Sequence, residues 1–251
     1  MIEFRPCNSG DRAGLTRLWQ MAFGDPESWI DLFFRTAFSP ERSRAAVENG
    51  QIAAALYWFD CSLLGEPFAY VYAVATDPGY QGRGIASALM EDTHRLLAEE
   101  GYRGVILTPG SSSLFRFYEK RGYHTAGYVR EETVRAGSAV AVRRIGPEEY
   151  AALRRELMPP EGVVQEGESL RYLHGFADLY AGDSFAAAVS RHNGAVVEFL
   201  GNPRKIPGLL GALGIPAASV RSPGRSKPLA MVHMLRGTLP CPEFYFGLPF
   251  D

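Results

Sequence analysis

Cysteine is scarce in this chain. Three residues among 251, Cys7, Cys61 and Cys241, lie far apart and without a CxxC pair, a spacing that argues against both a disulfide framework and a zinc site. A reduced, cytoplasmic setting is the simplest home for such thiols. An excess of either charge is also missing: Lys+Arg 26 stand against Asp+Glu 28, a net charge of −2 spread along the chain, so no basic footprint for nucleic acid is present. The small clusters Arg204-Lys205 and Arg221, Arg225, Lys227 read as solvated surface. Long apolar runs are absent too. The longest, 52–59 and 68–75, fall far short of the roughly 20 residues a membrane helix needs, and the start Met1-Ile2-Glu3-Phe4-Arg5 lacks a charged-then-apolar leader pattern. What is left, 46% hydrophobic, 12% aromatic and 22% charged, describes an ordinary soluble globular chain of one or two domains.

The stretch that organises the rest is 68–101. An apolar, β-branched and aromatic run at 68–75 breaks at Thr76-Asp77-Pro78-Gly79, and a helical pattern follows with Ile85, Leu89, Thr93, Leu96 and Leu97 on one face. Between strand and helix lies Gln81-Gly82-Arg83-Gly84-Ile85-Ala86. Its glycines permit positive φ and bring bare amides close to a ligand. The first helical turn leaves its own N–H groups unpaired and the helix dipole adds partial positive charge, so the loop is an anion cradle of pyrophosphate size. Gly-x-Gly also serves plain turns, and the dinucleotide fingerprint needs a third glycine and a later ribose-binding acid; here Ala86 and Ser87 follow instead.

Around this unit the chain reads in order as a strand at 2–5, a helix with Leu15, Leu18, Trp19, Ala22 and Phe23 inward, and a second helix restarted by Asp25-Pro26 with Trp29, Leu32, Phe33 and Ala37 inward. Strands at 44–48 and 51–60 are joined by Asn49-Gly50, a two-residue hairpin turn. Beyond the central helix come a strand at 103–108, a helix at 111–121 and two strands at 123–129 and 132–136, joined as a hairpin. A second unit after Gly137 echoes this order: a strand at 139–143, helices at 147–158 and 166–176, a hairpin turning at His192-Asn193-Gly194, a helix near 207–213, and strands near 218–221 and 229–235.

The full central stretch resembles motif A of the GNAT superfamily of acyl-CoA-dependent N-acetyltransferases, whose Gln/Arg-x-x-Gly-x-Gly/Ala signature reads here as Gln81, Gly84 and Ala86. The resemblance implies an α/β (α+β) fold with a mixed, mostly antiparallel sheet whose two central strands splay past a bulge. It implies acetyl-CoA as cosubstrate, with no metal: Val74, Ala75 and Thr76 beside the acetyl and pantetheine groups, and Gln81, Gly82, Arg83, Gly84, Ile85, Ala86 and Ser87 around the pyrophosphate, with Arg83 toward solvent. The segment 111–123 is similar to the family's Asn-x-x-Ala-x-x-x-Tyr-x-x-x-Gly-Phe. Tyr118, Gly122 and Tyr123 fall in register, while Ser111 replaces the asparagine and Leu114 the small residue. Tyr118 is thereby implied as the acid near the CoA sulfur, and Ser111 as a pantetheine contact. The domains expected are 1–136, with the acetyl-CoA site, and 137–251, a degenerate GNAT-like unit. In the latter, Gly201-Asn202-Pro203-Arg204-Lys205 stands where the cradle would be but lacks its pattern, and Pro203 withholds one N–H. That unit would supply a wall of the acceptor site or a homodimer surface.

Acetyl transfer to an amine of ordinary pKa, about 10.4, starts from roughly one neutral molecule in 2,500 at pH 7, a handicap near 4.6 kcal/mol. A base or desolvation must help, and an acid must help the thiolate leave. The strand before the tyrosine helix, Val105-Ile106-Leu107-Thr108, offers no carboxylate. Asp60, Glu66, Glu131, Glu132, His124 and the terminal carboxylate of Asp251 are the remaining candidates for the base, beside a water wire. Trp29, Phe33, Tyr57, Trp58, Phe59, Tyr70 and Tyr72 would wall the acceptor cleft, although such aromatics are more often core. The acceptor is a small-molecule or peptide amine. The tandem order and the aromatic tail at 244–251 also resemble the enhanced-intracellular-survival type of acetyltransferase, whose terminal carboxylate reaches the active site, though this chain has no room for that group's third domain. A non-catalytic CoA-binding sensor or scaffold is the alternative from another class.

Overall fold

The computed structural model describes residues 1–250. The first half runs β1 (Ile2–Arg5), α1 (Arg12–Phe23), α2 (Glu27–Thr36), β2 (Ser43–Glu48), β3 (Gln51–Leu63), β4 (Glu66–Thr76), α3 (Ile85–Glu99), β5 (Gly104–Leu107), α4 (Ser112–Glu119) and β6 (His124–Arg135). The second runs β7 (Val142–Ile145), α5 (Pro147–Leu157), β8 (Val164–Gln165), α6 (Glu168–Phe176), β9 (Ala177–Gly182), β10 (Phe185–Ser190), β11 (Val196–Gly201), α7 (Ile206–Leu213), β12 (Ala217–Met234) and β13 (Phe244–Tyr245). The turn chemistry works as the sequence predicts. Gly24, at φ +72°, ends α1 by donating its N–H to the Gln20 carbonyl, and Asn49 and Gly50, at φ +53° and +77°, form the primed turn between β2 and β3.

All the strands join one sheet, whose main order is β1-β2-β3-β4-β5-β12-β11-β10-β9-β7. Most pairings are antiparallel; β4–β5, β11–β12 and β6–β13 are parallel. The order is mirrored about the β5–β12 junction. Setting aside the short β8, which pairs with β3, each half places two helices after its first strand and one after its fourth, so α5, α6 and α7 stand to β7, β9, β10 and β11 as α1, α2 and α3 stand to β1–β4.

Two expectations change here. The hairpin predicted within 123–136 is a single strand, β6, and the separate strands predicted at 218–221 and 229–235 are a single strand, β12. The two pair antiparallel from Ala217↔Arg135 to Val232↔His124, and Pro223-Gly224, which suggests a break in the sequence, is absorbed as an irregularity between Ser222 and Lys227. Arg130-Glu131 offers no turn residue, and a partner as long as β12 keeps both ends of β6 in the ladder. As a result β12 begins parallel to β11 at Val196↔Val220 and ends antiparallel to β5, from Met231↔Leu107 to Met234↔Gly104. The sheet is continuous across 136/137.

Period-two alternation divides the core between the faces. One face carries Tyr57, Phe59 and Tyr70 under α1, α2, α5 and α6; the other carries Leu56, Trp58 and Val71 under α3 and α4. A third cluster forms where α7 covers β10 and β11. Fully buried aliphatic side chains such as Leu15, Ile30 and Leu89 each contribute on the order of 2 kcal/mol. All three cysteines are free and buried. Among the described residues, no helix is long and apolar enough to cross a membrane.

The second half is anchored by a buried ion pair. Arg154 on α5 and Glu198 on β11 are 1% and 0% exposed at the side chain. Arg154 Nε and Nη2 donate to the two Glu198 oxygens at 2.7 and 3.1 Å, and its Nη1 donates to the Gln165 carbonyl at 2.8 Å. The Tyr150 and Tyr245 hydroxyls also donate to Glu198, at 2.8 and 3.2 Å, and Gln165 Nε2 donates to the Leu248 carbonyl at 2.8 Å. A Cβ added to Gly247 would sit 2.0 Å from Glu198 Oε1, so only glycine lets the tail pass so close. Removing either partner strands a charge away from water. Arg154→Met alone and Glu198→Leu alone should each cost about 3–5 kcal/mol, and the double variant should cost at least about 2 kcal/mol less than the sum, as read by denaturant unfolding.

Candidate functional site

The parallel pairing of β4 and β5 runs from Phe68↔Gly104 to Val71↔Leu107. There β5 ends, while β4 continues to Thr76. At the departure point Ala73 holds φ +50°, inside the register shift of β3 against β4. A left-handed alanine costs roughly 1–2 kcal/mol. It persists because Tyr57↔Tyr72 on one side and Ala55↔Ala75 on the other fix the strand around it. The strands therefore splay, and a cleft of about 300 Å³ opens between them, with Ala73 and Val74 on one wall and Leu107, Thr108 and Tyr118 on the other. Val74 lines this cleft, Ala75 is buried, and Thr76 is half-buried at the strand's end.

The loop from Gln81 lies beyond the end of β4, the strand that walls the cleft. Gly82 and Gly84 hold φ +75° and +77°, and a Cβ at either would meet nothing within 4 Å; the backbone conformation, not crowding, demands glycine there, and the concavity stays open. Gly84 caps α3 without a side-chain bond, and Ala88 N–H donates to the Gly84 carbonyl at 3.1 Å. The amides of Ile85, Ala86 and Ser87 precede that first helical bond, so they are the groups a helix N-terminus offers to an anion. Gln81 Nε2 donates to the Thr76 carbonyl at 3.4 Å, tying the loop to β4. The Arg83 guanidinium turns to β2, where it binds Glu48 at 2.9 and 2.8 Å; only its main chain belongs to the cradle.

A second cation reaches the start of α3. Arg121, just past α4, donates to Ser87 Oγ from Nε at 3.0 Å and also from Nη2, and lies 3.4 Å from the Phe117 ring centroid. Sequence reading passes over Arg121 because its partner is 34 positions away. In the second half the corresponding loop is missing. Asn202 Oδ1 accepts the Arg204 N–H at 3.1 Å as Asp77 Oδ1 accepts the Gly79 N–H at 2.8 Å, but α7 then starts at once at Ile206, with no counterpart of 81–84.

Tyr118 sits on α4, 7% exposed, with its side chain on the cleft. Burial pushes its hydroxyl up to about 12, against a smaller lowering by Arg121. Its ring meets Tyr123 edge-on at 5.6 Å. The Tyr123 hydroxyl is 2.7 Å from His94 Nε2, and His94 stacks on His233 at 4.6 Å. Burial, then the neighbouring His233, lowers His94 to about 4, so that imidazole is neutral at pH 7 and supports the tyrosines without charge. Ser111 is the exposed residue before α4, its Oγ 2.9 Å from Ser113 Oγ, while Gly110 and Leu114 line the cleft itself.

Of the aromatics expected around an acceptor, Trp29, Tyr70 and Tyr72 line the cleft, whereas Phe33, Tyr57 and Phe59 are core beneath it and Trp58 faces the opposite layer. The tail completes the wall. The Tyr70 hydroxyl donates to the Pro249 carbonyl and stands 3.0 Å from Thr108 Oγ1; the Tyr72 hydroxyl donates to the Phe250 carbonyl at 3.2 Å. The candidates for a base lie elsewhere. Asp60 accepts from Tyr102 and Arg42, Glu66 pairs with Arg103 at 3.6 Å, and Glu131 pairs with Lys227 at 2.8 Å. Glu132 and His124 are exposed on β6, and Asp251 lies outside the described residues. The carboxylate that does line the cleft is Asp25, which sequence reading treats only as the residue opening α2; its Oδ2 accepts the Trp19 indole N–H at 2.8 Å.

Residues 3–126 match the family model described as an acetyltransferase (GNAT) domain. Among curated proteins, no sequence matches the chain. Among solved structures, a GCN5-related N-acetyltransferase from Kribbella flavida superposes with TM-score 0.69 at 16% identity, over 94% of this chain and 72% of that one. Eis1 from Mycobacterium abscessus gives 0.68 at 13% identity, over 94% and 74%, and a tandem GNAT protein from the clavulanic acid biosynthesis pathway gives 0.55 at 14%, over 95% and 100%. With the splayed strands, the glycine cradle and the tyrosine helix all inside the matched residues, the amino-terminal half of this chain is a GNAT acetyltransferase domain, and the chain as a whole has the fold of GNAT acetyltransferases.

Proposed function

We propose that the protein transfers an acetyl group from acetyl-CoA to a primary amine, with Tyr118 assisting the departure of the thiolate. The observation that carries this reading is one strand, β4, that is released at Ala73 into a cleft shared with the buried Tyr118 and then runs on into the open anion cradle at Gly82–Gly84. Acetyl-CoA supplies the activated thioester. The chain's part is to hold and orient. The amides from Gly82 to Ser87 neutralise a pyrophosphate through backbone donors and the dipole of a 15-residue helix, and Arg121 adds a cation beside Ser87. The released edge of β4 leaves main-chain groups for an extended pantetheine arm.

The amine nitrogen attacks the thioester carbon, a C–N bond forms and the C–S bond breaks. The proton lost by the amine passes to solvent, and the Tyr118 hydroxyl donates to the sulfur. A hydroxyl near pKa 12 is a weaker acid than a thiol, ordinarily near 8.5. Tyr118 therefore acts first as a hydrogen-bond donor to the developing thiolate in a water-poor site, where such a donor counts most.

Tyr118→Phe should lower kcat by about 100-fold or more and leave the acetyl-CoA dissociation constant within about twofold, read by steady-state kinetics and calorimetry. Gly84→Glu, which adds a carboxylate where a pyrophosphate would sit and strains a positive φ, should abolish calorimetric acetyl-CoA binding while lowering the thermal unfolding midpoint by no more than about 8 °C. Unchanged turnover in Tyr118→Phe would remove the acid role. Acetyl-CoA binding without turnover across a broad amine panel would favour a non-catalytic sensor.

The pH dependence has a definite sign. Tyr118 keeps its proton until pH passes through about 12, while the neutral fraction of the amine rises about tenfold per pH unit below its own pKa. The value of kcat/KM should climb from pH 6 to pH 9 with no descending limb below about pH 10; a fall centred near pH 8 would assign the acid to another group.

A further inference from the structure

Two cavities meet at Asp25. The cleft beside Tyr118 and a groove of about 810 Å³, bounded by α2, the turn between β10 and β11, and the start of β12, share two lining residues, Asp25 and Trp29. The groove has the size of a small-molecule site, roughly 300–1,000 Å³, and opens between the two halves of the chain. Among the described residues, Asp25 is the single charged side chain on the wall of the cleft.

Its surroundings are π faces. Trp19, whose indole N–H holds Asp25 Oδ2 at 2.8 Å, stands 5.7 Å from the Tyr72 ring; Trp29 stands 5.7 Å from Tyr172 and 4.7 Å from Phe176. One indole bond does not saturate a carboxylate, which can accept along about four lone-pair directions. Within the described chain no Lys or Arg makes an ion pair with Asp25. The cations of the groove are engaged otherwise, Arg191 with Asp178 at 3.2 Å and Arg221 with Glu131 at 3.5 Å. A half-buried carboxylate among aromatic faces, with no cation of its own, is a complement for an alkylammonium group: charge pairing, hydrogen bonds and cation–π attraction act together there.

We propose that Asp25, with Trp19, Trp29 and Tyr72, seats the ammonium group of the acceptor, and that the acceptor's body, an alkyl or arylalkyl chain, lies in the groove past Trp29. This inference rests on the N-acetyltransferase reading and deepens it: the acceptor is a small amine that enters between the halves, through a groove whose walls contain no residue of the glycine cradle. Holding the cation at the junction of the cavities puts its nitrogen at the mouth of the cleft that holds Tyr118. Asp25 is a binding residue here, and the loss of the amine's proton to water along the groove needs no further group.

The test is calorimetric titration at pH 7 with phenethylammonium and, in parallel, its uncharged counterpart 2-phenylethanol. Asp25→Asn keeps an oxygen for the Trp19 indole and removes the charge. It should weaken phenethylammonium at least about tenfold and change 2-phenylethanol by less than about twofold, whereas Trp29→Ala should weaken both. Acetyl-CoA titrated into the same variants should bind as it does to the native chain, which also shows that they fold. Phenethylammonium binding unaltered by Asp25→Asn, or none by the native chain at millimolar concentration, overturns the proposal. Ammonium binding that depends on Asp25 in a protein that does not bind acetyl-CoA would sustain this site and defeat the acetyl-transfer reading.

Discussion

A guanidinium and a carboxylate with no access to water must satisfy one another completely, and the Arg154–Glu198 pair does so with help from Tyr150, Tyr245 and the Gln165 carbonyl. The cost of burying two charges is recovered only by this full set of bonds. The set binds the tail of the chain as well as the second half's own elements. Tyr245 is a ligand of Glu198, Gly247 passes within contact of the same carboxylate, and Gln165 holds Leu248. The next two residues, Pro249 and Phe250, accept from Tyr70 and Tyr72 in the cleft of the first half. A polar anchor deep in one half thus builds a wall of the other half's site. The second unit, which has no counterpart of the loop at 81–84, acts on the cleft through the strap it holds.

The shared strand ties the halves in a second way. Because β12 pairs with β11 at its start and with β5 at its end, the edge that β5 would otherwise present is filled by residues from late in the chain. Unpaired sheet edges are liabilities, and the two halves remove each other's. This arrangement leaves the splay between β4 and β5 as the interruption in the ladder from which the cleft opens, held open by the left-handed Ala73 on one side and the short length of β5 on the other.

Charge is divided around β4. The loop that follows it offers backbone amides, a helix N-terminus and Arg121, all suited to negative charge; the cleft beside it offers Asp25 among aromatic faces, suited to positive charge. Tyr118, neutral and buried, shares that cleft. In the acetyl transfer we propose, an anionic cosubstrate would be held by the loop and a cationic acceptor by Asp25, with the neutral Tyr118 hydroxyl serving the departing sulfur.

Local chemistry determined much of this from the residues alone. The strand–loop–helix at 68–101, the glycines needed at positive φ, the turn at Asn49-Gly50 and the tyrosine helix depend on neighbours within a few positions, and so did the family resemblance that the domain match bears out. Tertiary structure alone decided what depends on distant partners. That β6 is one strand follows from a partner some 100 residues away. Arg121 reaches the cradle through Ser87, and Asp25 becomes a cleft residue because α1, α2 and β4 converge on it. No period or motif records such meetings, since a side chain's local sequence sets its conformation while burial and charge partners are set by which elements pack. Alternation correctly separated Trp58 from Tyr57 and Phe59; only packing could tell that Tyr70 and Tyr72 face a cavity while Tyr57 and Phe59, on the same side of the sheet, are core.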